Sequence, residues 1–128
     1  MQLKGELIYR ELEKEALKQV VQLQSAVISL GGGTAIQQAN QEIIRSHKLL
    51  HIVAPRGIVF ERIMVEGRPA FFDKDEDPYE SFSRLWDERS AVYNNLTTCI
   101  VDNSDSIEQA VNQAINLLKL ESGCSHYA

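Results

Sequence analysis

Residues 26–34 read AVISLGGGT, a short apolar run that ends in three consecutive glycines. A run of this length, closed by a turn signal, predicts a buried strand of a parallel sheet over residues 26–30. Glycine lets the backbone turn tightly and approach a ligand closely, and Thr34 is a suitable cap for a following helix. The motif alone leaves two interpretations open: a turn that contacts a ligand, and a tight turn without one.

The segments on either side of this run alternate between helical and strand patterns. Apolar residues spaced three and four apart predict helices, and short apolar runs predict further strands. Asp77 before Pro78 is typical of a helix start, and Asp105 with Glu108 resembles a capping box. The predicted elements are helix 6–24, strand 26–30, helix 36–47, strand 49–54, short helix 59–64, an acidic lid loop 68–77, helix 78–93, strand 98–101 and helix 105–120.

This order of elements predicts an α/β fold in which a parallel sheet lies between two helix layers. We expect one domain over residues 1–120 and a disordered tail over residues 121–128. Ligands of such sheets bind beyond the carboxyl ends of the strands. The triple glycine and the start of the lid loop would both lie at that edge.

The composition is that of an ordinary globular protein. The chain has 128 residues, 44% of them hydrophobic, and a formal net charge of −5. The acidic balance argues against a nucleic-acid-binding surface, which needs clustered Lys and Arg. No apolar run reaches the roughly 20 residues that span a bilayer, and the N-terminus lacks the apolar core of a signal peptide, so we expect a cytoplasmic protein without membrane association.

Cysteine and histidine spacing gives no support for a metal or dithiol site. Cys99 and Cys124 do not form a Cys-x-x-Cys pair, and Cys99 lies in an apolar run where a small core residue is expected. His47 and His51 are four residues apart, but His51 lies in a predicted strand, so the two rings would not align as on one helix. We therefore expect no metal ligands here.

Three arginines are the strongest candidates for binding an anion. Arg10 precedes Glu13 by three residues on a predicted helix, where a solvated ion pair is the ordinary explanation. Arg68 opens the acidic lid loop, and Arg89 lies beside Trp86 on another predicted helix. Guanidinium groups suit bidentate binding of carboxylate and phosphate, so the three could form a carboxylate clamp and a phosphate contact.

Four segments resemble the shikimate kinase family. Residues 5–13, GELIYRELE, are similar to the family's G-E-x-x-F-R-x-x-E segment, with Tyr9 in place of the usual Phe. Residues 27–33 resemble its strand ending in a triple glycine, residues 67–69, GRP, its lid motif, and residues 88–93, ERSAVY, its E-R-x-x-x-Y helix. The matches occur in the family's order, and together they are quite specific although each is weak alone.

The resemblance implies ATP-dependent phosphorylation of the 3-hydroxyl of shikimate, a step of chorismate and aromatic amino acid biosynthesis, with ATP and Mg²⁺ as cofactors. It implies that Arg10 and Arg89 bind the shikimate carboxylate and that Glu13 orients Arg10. The residues implied to contact the substrate hydroxyls through their backbone are Gly31, Gly32 and Gly33.

Two further roles follow from the same resemblance. Arg68 would swing in with the lid loop as a catalytic residue and stabilise the transferring phosphoryl group, because phosphoryl transfer depends mainly on positioning and charge stabilisation. Lid closure would also exclude water. Asn103 would lie near the adenine of the nucleotide, although no arginine in the sequence matches the one that stacks on the base in the family.

The family's first unit has no counterpart in this sequence. That unit is a strand, a G-x-x-x-x-G-K-[ST] phosphate loop, a helix and a second strand, whereas the glycines at 31–33 are followed by no such Lys. We therefore expect little ATP or Mg²⁺ binding and no turnover by this chain alone. The alternative function is a small-carboxylate (shikimate) binding module without turnover, or a remnant stable in an oligomer.

The missing unit also predicts a gap in the sheet. Its phosphate-loop strand would lie between strands 26–30 and 49–53, so its absence leaves a slot about 9 to 10 Å wide with unpaired backbone groups. Three hypotheses would close this slot. The two strands pair directly, another chain such as a second copy donates a strand, or the missing segment precedes residue 1.

Overall fold

A computed structural model describes residues 3–96 and 99–119 of the chain. These residues divide into two compact units, one up to residue 48 and the other from residue 49. We call them the glycine-turn unit and the sheet unit.

The glycine-turn unit is built from two helices and a short 3₁₀ turn. Helix α1 spans Leu3–Val20, the 3₁₀ turn Thr34–Ile36 and helix α2 Gln38–Ile44. Helix α1 packs against α2, and each buries one large aliphatic side chain, Leu17 and Ile44 respectively. Helix α1 ends four residues before the predicted end at residue 24, and α2 is shorter at both ends than the predicted helix 36–47.

The predicted strand at residues 26–30 is wrong. These residues have no strand pairing, and Val27 is 97% exposed. A strand needs a neighbour to accept and donate its backbone hydrogen bonds, and the part of the chain that the structure describes supplies none here. The expected burial of the run is also wrong, since residues 26–29 are exposed, because an apolar run carries no information on whether a partner strand is present.

The sheet unit contains two parallel strands, β1 at His51–Val53 and β2 at Ile100–Asp102. Ile52 pairs with Val101 in register, and the backbone N–H of Asn103 extends the pairing by donating to the Val53 carbonyl at 2.7 Å. Both strands were predicted, although Thr98 lies outside the described residues. Val101 and Cys99 are fully buried, as expected for Cys99.

Three helices complete the sheet unit: α3 at Arg56–Met64, α4 at Pro78–Leu96 and α5 at Ile107–Lys119. Asp77 caps α4 as predicted, because its Oδ2 accepts hydrogen bonds from the backbone N–H of Tyr79 and of Glu80 at 3.1 and 3.3 Å. The predicted capping box at Asp105 is wrong by one residue. The Oγ of Ser106 instead accepts from the Gln109 N–H at 3.1 Å.

The apolar stripe of α5 is not buried as predicted. Ile107 is 78% exposed, and Val111, Ile115 and Leu118 are between 43% and 49% exposed. The spacing of three and four residues correctly predicted the helix, and α5 packs against β2, but this contact leaves much of the stripe exposed among residues 3–96 and 99–119. No helix in this part of the chain is long and apolar enough to cross a bilayer.

The observed fold is α/β, with a parallel sheet reduced to two strands. The sheet of the described residues is therefore smaller than a full three-layer fold contains, which is consistent with the incomplete fold that the sequence predicts. Of the three hypotheses for the slot, direct pairing of residues 26–30 is not observed, because the sheet in the described residues contains β1 and β2 alone. The predicted tail at 121–128 lies outside those residues.

Candidate functional site

Arg10 and Glu13 form the centre of the candidate site in the glycine-turn unit. One turn of α1 brings them to the same face, and Arg10 Nη1 donates to Glu13 Oε1 at 2.9 Å. The other carboxylate oxygen, Oε2, accepts a hydrogen bond from Thr34 Oγ1 at 2.8 Å. The Glu13 side chain is 13% exposed, so this pair is not the solvated surface ion pair that its spacing alone would suggest.

The triple glycine packs directly against this cluster. A Cβ atom on Gly33 would lie 2.8 Å from Arg10 Nη2, and a Cβ on Gly31 would lie 3.1 Å from Thr34 Oγ1. Only a residue without a side chain lets the guanidinium approach the backbone this closely. The structure thus brings together three of the predicted substrate-binding positions, Arg10, Glu13 and the glycine turn.

The Arg10 guanidinium is further enclosed by an aromatic ring. Its Cζ lies 5.2 Å from the centre of the Tyr9 ring, within the range of a cation–π contact. Its Nε is buried and has no hydrogen-bond partner in the described part of the chain. A buried donor without a partner is costly, and an anion that binds at the guanidinium could relieve that cost.

Thr34 is a site residue that sequence reasoning placed in the wrong role. It was predicted to cap the following helix, but the position before the 3₁₀ turn is occupied by Gly33, which makes no side-chain cap. The Thr34 hydroxyl instead reaches Glu13, 21 residues earlier in the chain. No sequence spacing signals such a contact, because it depends on how the glycine turn folds back onto α1.

Arg89 lies on α4 in the sheet unit, in the wall of a cavity of about 470 Å³. Aromatic side chains form much of the remaining wall, among them Phe71, Phe72, Trp86 and Tyr93. Burial raises the pKa of Tyr93, and the Arg89 guanidinium beside it, which hydrogen-bonds its hydroxyl, offsets part of that rise. Arg89 therefore has a fixed neighbour in a largely apolar surrounding, where it could bind a carboxylate.

His51 at the start of β1 lines the same cavity. Its ring meets the Tyr93 ring edge-on, with centroids 5.3 Å apart, and its Nδ1 is buried without a hydrogen-bond partner in the described residues. Burial lowers the pKa of His51 below its usual value of 6.5. The imidazole is therefore neutral near pH 7, and Arg89 supplies the positive charge of this wall.

Arg68 is bound within its own lid loop, and it lines neither the cavity at Arg89 nor the cavity at Asn103. Its Nη1 donates to the backbone carbonyls of Asp73 and Lys74 at 3.2 and 2.8 Å. Gly67 before it has a φ of +96°, which a residue with a side chain adopts only under strain. The guanidinium would have to leave these two carbonyls before it could reach a phosphoryl group.

The far end of the lid loop is fastened to α4 by an ion pair. Arg84 Nη1 contacts both carboxylate oxygens of Glu76 at 2.7 and 2.6 Å, and the Ser81 hydroxyl donates to Glu76 Oε1 at 3.0 Å. The hydrogen bond from Arg84 is the main reason that the pKa of Glu76 is lowered. One end of the loop is therefore anchored by charge, while the other has a backbone conformation that favours glycine.

Asn103, the predicted nucleotide contact, follows β2. Its carbonyl accepts a hydrogen bond from Arg62 Nη1 at 2.7 Å, and both residues line a cavity of about 280 Å³ next to Val59. Arg62 was not identified from the sequence, because 41 residues separate it from Asn103. The fold thus supplies an arginine beside Asn103 at the place where the sequence offered none.

The comparisons with known proteins agree with the resemblance of the four segments. A model of the family described as shikimate kinase matches residues 1–119. The chain belongs to the shikimate kinase family. No solved structure matches it.

Individual shikimate kinases are similar at about 30% identity. The shikimate kinase of Deinococcus radiodurans is 32% identical over 115 residues, which are 89% of this chain and 58% of the relative. That of Streptococcus suis is 29% identical over 119 residues, or 88% of this chain and 71% of the relative. A bifunctional shikimate kinase/3-dehydroquinate synthase of Thermotoga maritima is 32% identical over 89 residues, 70% of this chain and 17% of the relative. The chain therefore spans only part of each of these shikimate kinases.

The described residues do not fit the ATP and Mg²⁺ that the shikimate kinase family implies. The sequence contains no G-x-x-x-x-G-K-[ST] run, whose backbone and lysine would hold the β- and γ-phosphates of ATP. Among residues 3–96 and 99–119 no group of three acidic, histidine or cysteine side chains is placed to hold a metal ion. No step of phosphoryl transfer can be derived from these residues.

Proposed function

We propose that this chain is the shikimate-binding part of a shikimate kinase. Arg10 would donate to the ring carboxylate of shikimate, and Gly31, Gly32 and Gly33 would contact its hydroxyls through the backbone. The observation that supports this most is the arrangement of Arg10, whose guanidinium is held by Glu13 and pressed against Gly33. A fixed guanidinium binds a carboxylate with little further loss of side-chain entropy.

Arg89 is proposed as a second arginine for the same class of group, a ring carboxylate. Support comes from its own surroundings, since it supplies the positive charge of an aromatic-lined cavity and has Tyr93 as a fixed neighbour. In such surroundings an ion pair with a carboxylate is less screened by water than at an open surface.

Arg68 and Asn103 are proposed to act on the nucleotide side of the reaction. Arg68 would stabilise the transferring phosphoryl group after leaving the carbonyls of Asp73 and Lys74. Asn103, with Arg62 beside it, would lie near the adenine. Both roles require the phosphate-loop segment that the family carries, so ATP-dependent phosphorylation of the shikimate 3-hydroxyl is proposed for the completed protein. That reaction would place the protein in aromatic amino acid biosynthesis.

A calorimetric titration with shikimate tests the binding proposal. The unmutated chain should release or absorb heat with a saturable profile, and Arg89→Ala should weaken the affinity roughly tenfold or more, because a charge-assisted hydrogen bond is lost. Arg45→Ala is the matched control, since Arg45 is exposed at the end of α2 and belongs to neither candidate site. Absence of heat with the unmutated chain would overturn the proposal.

Binding without turnover is the second candidate function, and one observation favours it. The sequence contains no G-x-x-x-x-G-K-[ST] run, the loop that cradles nucleotide phosphates. Incubation with shikimate, ATP and Mg²⁺, followed by detection of ADP, separates the two candidates. Shikimate-dependent ADP release by this chain would overturn the binding-only candidate.

The partner that would cover the open edge of the sheet is proposed to be a phosphate-loop segment, which would also supply the means of turnover, or a second copy of the chain, which would only stabilise the sheet. Support comes from β1, which is paired on one edge by β2 and has no strand on its other edge in the described part of the chain. A second copy would make the unfolding midpoint rise with protein concentration, because association stabilises the folded state by mass action. A midpoint independent of concentration would leave the phosphate-loop segment as the proposed partner.

A further inference from the structure

Glu13 is held from two directions at once. Arg10 Nη1 donates to one carboxylate oxygen at 2.9 Å, and Thr34 Oγ1 donates to the other at 2.8 Å. Thr34 is 6% exposed, so its hydroxyl is shielded from competing water. The three side chains form a continuous series that begins in the glycine turn and ends at the guanidinium.

The backbone of Thr34 is fixed independently of Glu13. Its N–H donates to the Gly31 carbonyl at 3.0 Å, and its carbonyl accepts from Asn40 Nδ2 at 3.0 Å. Asn40 itself is 1% exposed. The hydroxyl therefore starts from a rigid position and can fix the rotamer of the carboxylate that it contacts.

Two of the three glycines make room for the two ends of this series. A Cβ on Gly31 would press on the Thr34 hydroxyl at 3.1 Å, and a Cβ on Gly33 would overlap Arg10 Nη2 at 2.8 Å. The φ angle of Gly31 is not in the left-handed region, so it is the crowding against the Thr34 hydroxyl, and not the backbone conformation, that disfavours a side chain there.

We infer that Thr34 is a positioning residue that acts through Glu13 to hold the Arg10 guanidinium ready for the substrate carboxylate, and that Gly31 clears the space this hydroxyl needs. The inference rests on the proposed function, because Arg10 must be a carboxylate-binding group for its position to matter. Without the hydroxyl, the Glu13 carboxylate loses one of its two partners and is free to rotate. The guanidinium then has to be ordered when the substrate binds, which weakens binding.

A purely structural role for Thr34 makes a different prediction. If the hydrogen bond to Glu13 only fastened the glycine turn to α1, its loss would lower the free energy of unfolding and leave Arg10 where it is. Readouts of Arg10 itself therefore separate the two roles.

The test compares Thr34→Val, which replaces the hydroxyl with a methyl group, with Thr34→Ser, which keeps it. Shikimate affinity is measured by calorimetry, and the Arg10 Nε–H resonance is followed by nitrogen-15 NMR without ligand, assigned with Arg10→Lys. Thr34→Val should weaken shikimate binding about tenfold, the loss expected for one hydrogen bond to a charged group. It should also shift the Arg10 resonance and speed its hydrogen exchange. Thr34→Ser should behave as the unmutated chain in both measurements.

An unchanged affinity and an unchanged Arg10 resonance in Thr34→Val would overturn the inference, even if the chain became less stable. No heat from the unmutated chain with shikimate would overturn the proposed function alone. In that case the ligand-free Arg10 resonance still decides whether Thr34 positions the guanidinium.

If Thr34→Val does not fold, a second pair of variants tests the same inference. Gly31→Ala should shift the Arg10 resonance when Thr34 is present and leave it unchanged in a Thr34→Ala chain, because the added Cβ then meets no hydroxyl. Such non-additivity is the expected sign of two residues acting on the same contact. Equal shifts in the two backgrounds would contradict a role that runs through Thr34.

Discussion

Different kinds of interaction stabilise the glycine-turn unit and the sheet unit, each considered by itself. The sheet unit buries an aromatic cluster in which the Phe82 ring lies within 5.4 to 6.5 Å of the Phe60, Phe72, Tyr79 and Trp86 rings. The glycine-turn unit buries few large apolar side chains, and its most specific contacts are the polar ones around Glu13. Apolar packing resists unfolding, whereas directional hydrogen bonds fix the geometry of a single cation.

Arg10 and Arg68, two of the arginines with proposed roles, show the same contrast. Arg10 is paired with a charged carboxylate across one helical turn, so its position persists without a ligand. Arg68 is held by two neutral carbonyls of its own exposed loop. A residue that binds the substrate benefits from being fixed, and a residue on a lid must be released at low cost, since lid closure precedes chemistry.

The largest expected effect is on the stability of the sheet unit. Phe82→Ala should lower its free energy of unfolding by about 3 to 5 kcal/mol, because the variant removes the central ring of the aromatic cluster and leaves a cavity. Chemical denaturation followed by Trp86 fluorescence measures this, since Trp86 is the one tryptophan of the chain and lies on α4. Circular dichroism is the control for a local change in fluorescence. A loss below about 1 kcal/mol would mean that packing does not hold this unit together.

The next largest effect is on affinity in the glycine-turn unit. Gly33→Ala should weaken shikimate binding about tenfold, because the new methyl group displaces the Arg10 guanidinium from the position in which Glu13 holds it. Stability should change less than affinity, since the atom in the way is a side-chain nitrogen and not backbone. Calorimetry with shikimate and denaturation of the same samples check both parts. If stability falls and affinity does not, the contacts among Arg10, Glu13 and Thr34 stabilise the fold and do not position a binding group.

The predictions that held came from local patterns. Helices α4 and α5 and strands β1 and β2 follow from residue spacing within one segment, and so does the Arg10–Glu13 pair, which one helical turn brings together. The predicted strand at 26–30 was wrong because a strand depends on a neighbour that no local pattern reports. The Thr34–Glu13 contact could not be predicted for the same reason, as it joins residues 21 positions apart.

A smaller effect is expected in the lid loop. It tests whether the loop that holds Arg68 opens easily, in contrast to the fixed position of Arg10. Gly67→Ala should raise the rate of trypsin cleavage after Lys74 about fivefold to thirtyfold, because an alanine at a φ of +96° costs about 1 to 2 kcal/mol and favours the open loop. Gly57→Ala is the control, since its Cβ would meet no atom within 4 Å and its φ is ordinary. Equal cleavage in the two variants would show that the positive φ of Gly67 does not contribute to holding the loop closed.

The smallest expected effect concerns His51, whose imidazole is partly buried in the sheet unit. Because burial lowers the pKa of His51, the unfolded chain binds a proton near pH 6.5 while the folded chain does not. The free energy of unfolding should therefore fall as the pH drops through 6.5, by at most about 1.4 kcal/mol per pH unit for one proton. Denaturation between pH 7.5 and roughly 5.5 measures this slope, in a range above the usual pKa of carboxylates.

Two variants identify the group responsible for that slope. His51→Phe should abolish it, because a phenyl ring keeps the edge-on contact with Tyr93 and takes up no proton. His47→Gln should leave it unchanged, since His47 is exposed. A slope that survives His51→Phe would mean that the imidazole is not desolvated in the cavity. The wall of that cavity would then be open to water, and Arg89 would lose the low-dielectric surroundings on which its proposed binding of a carboxylate depends.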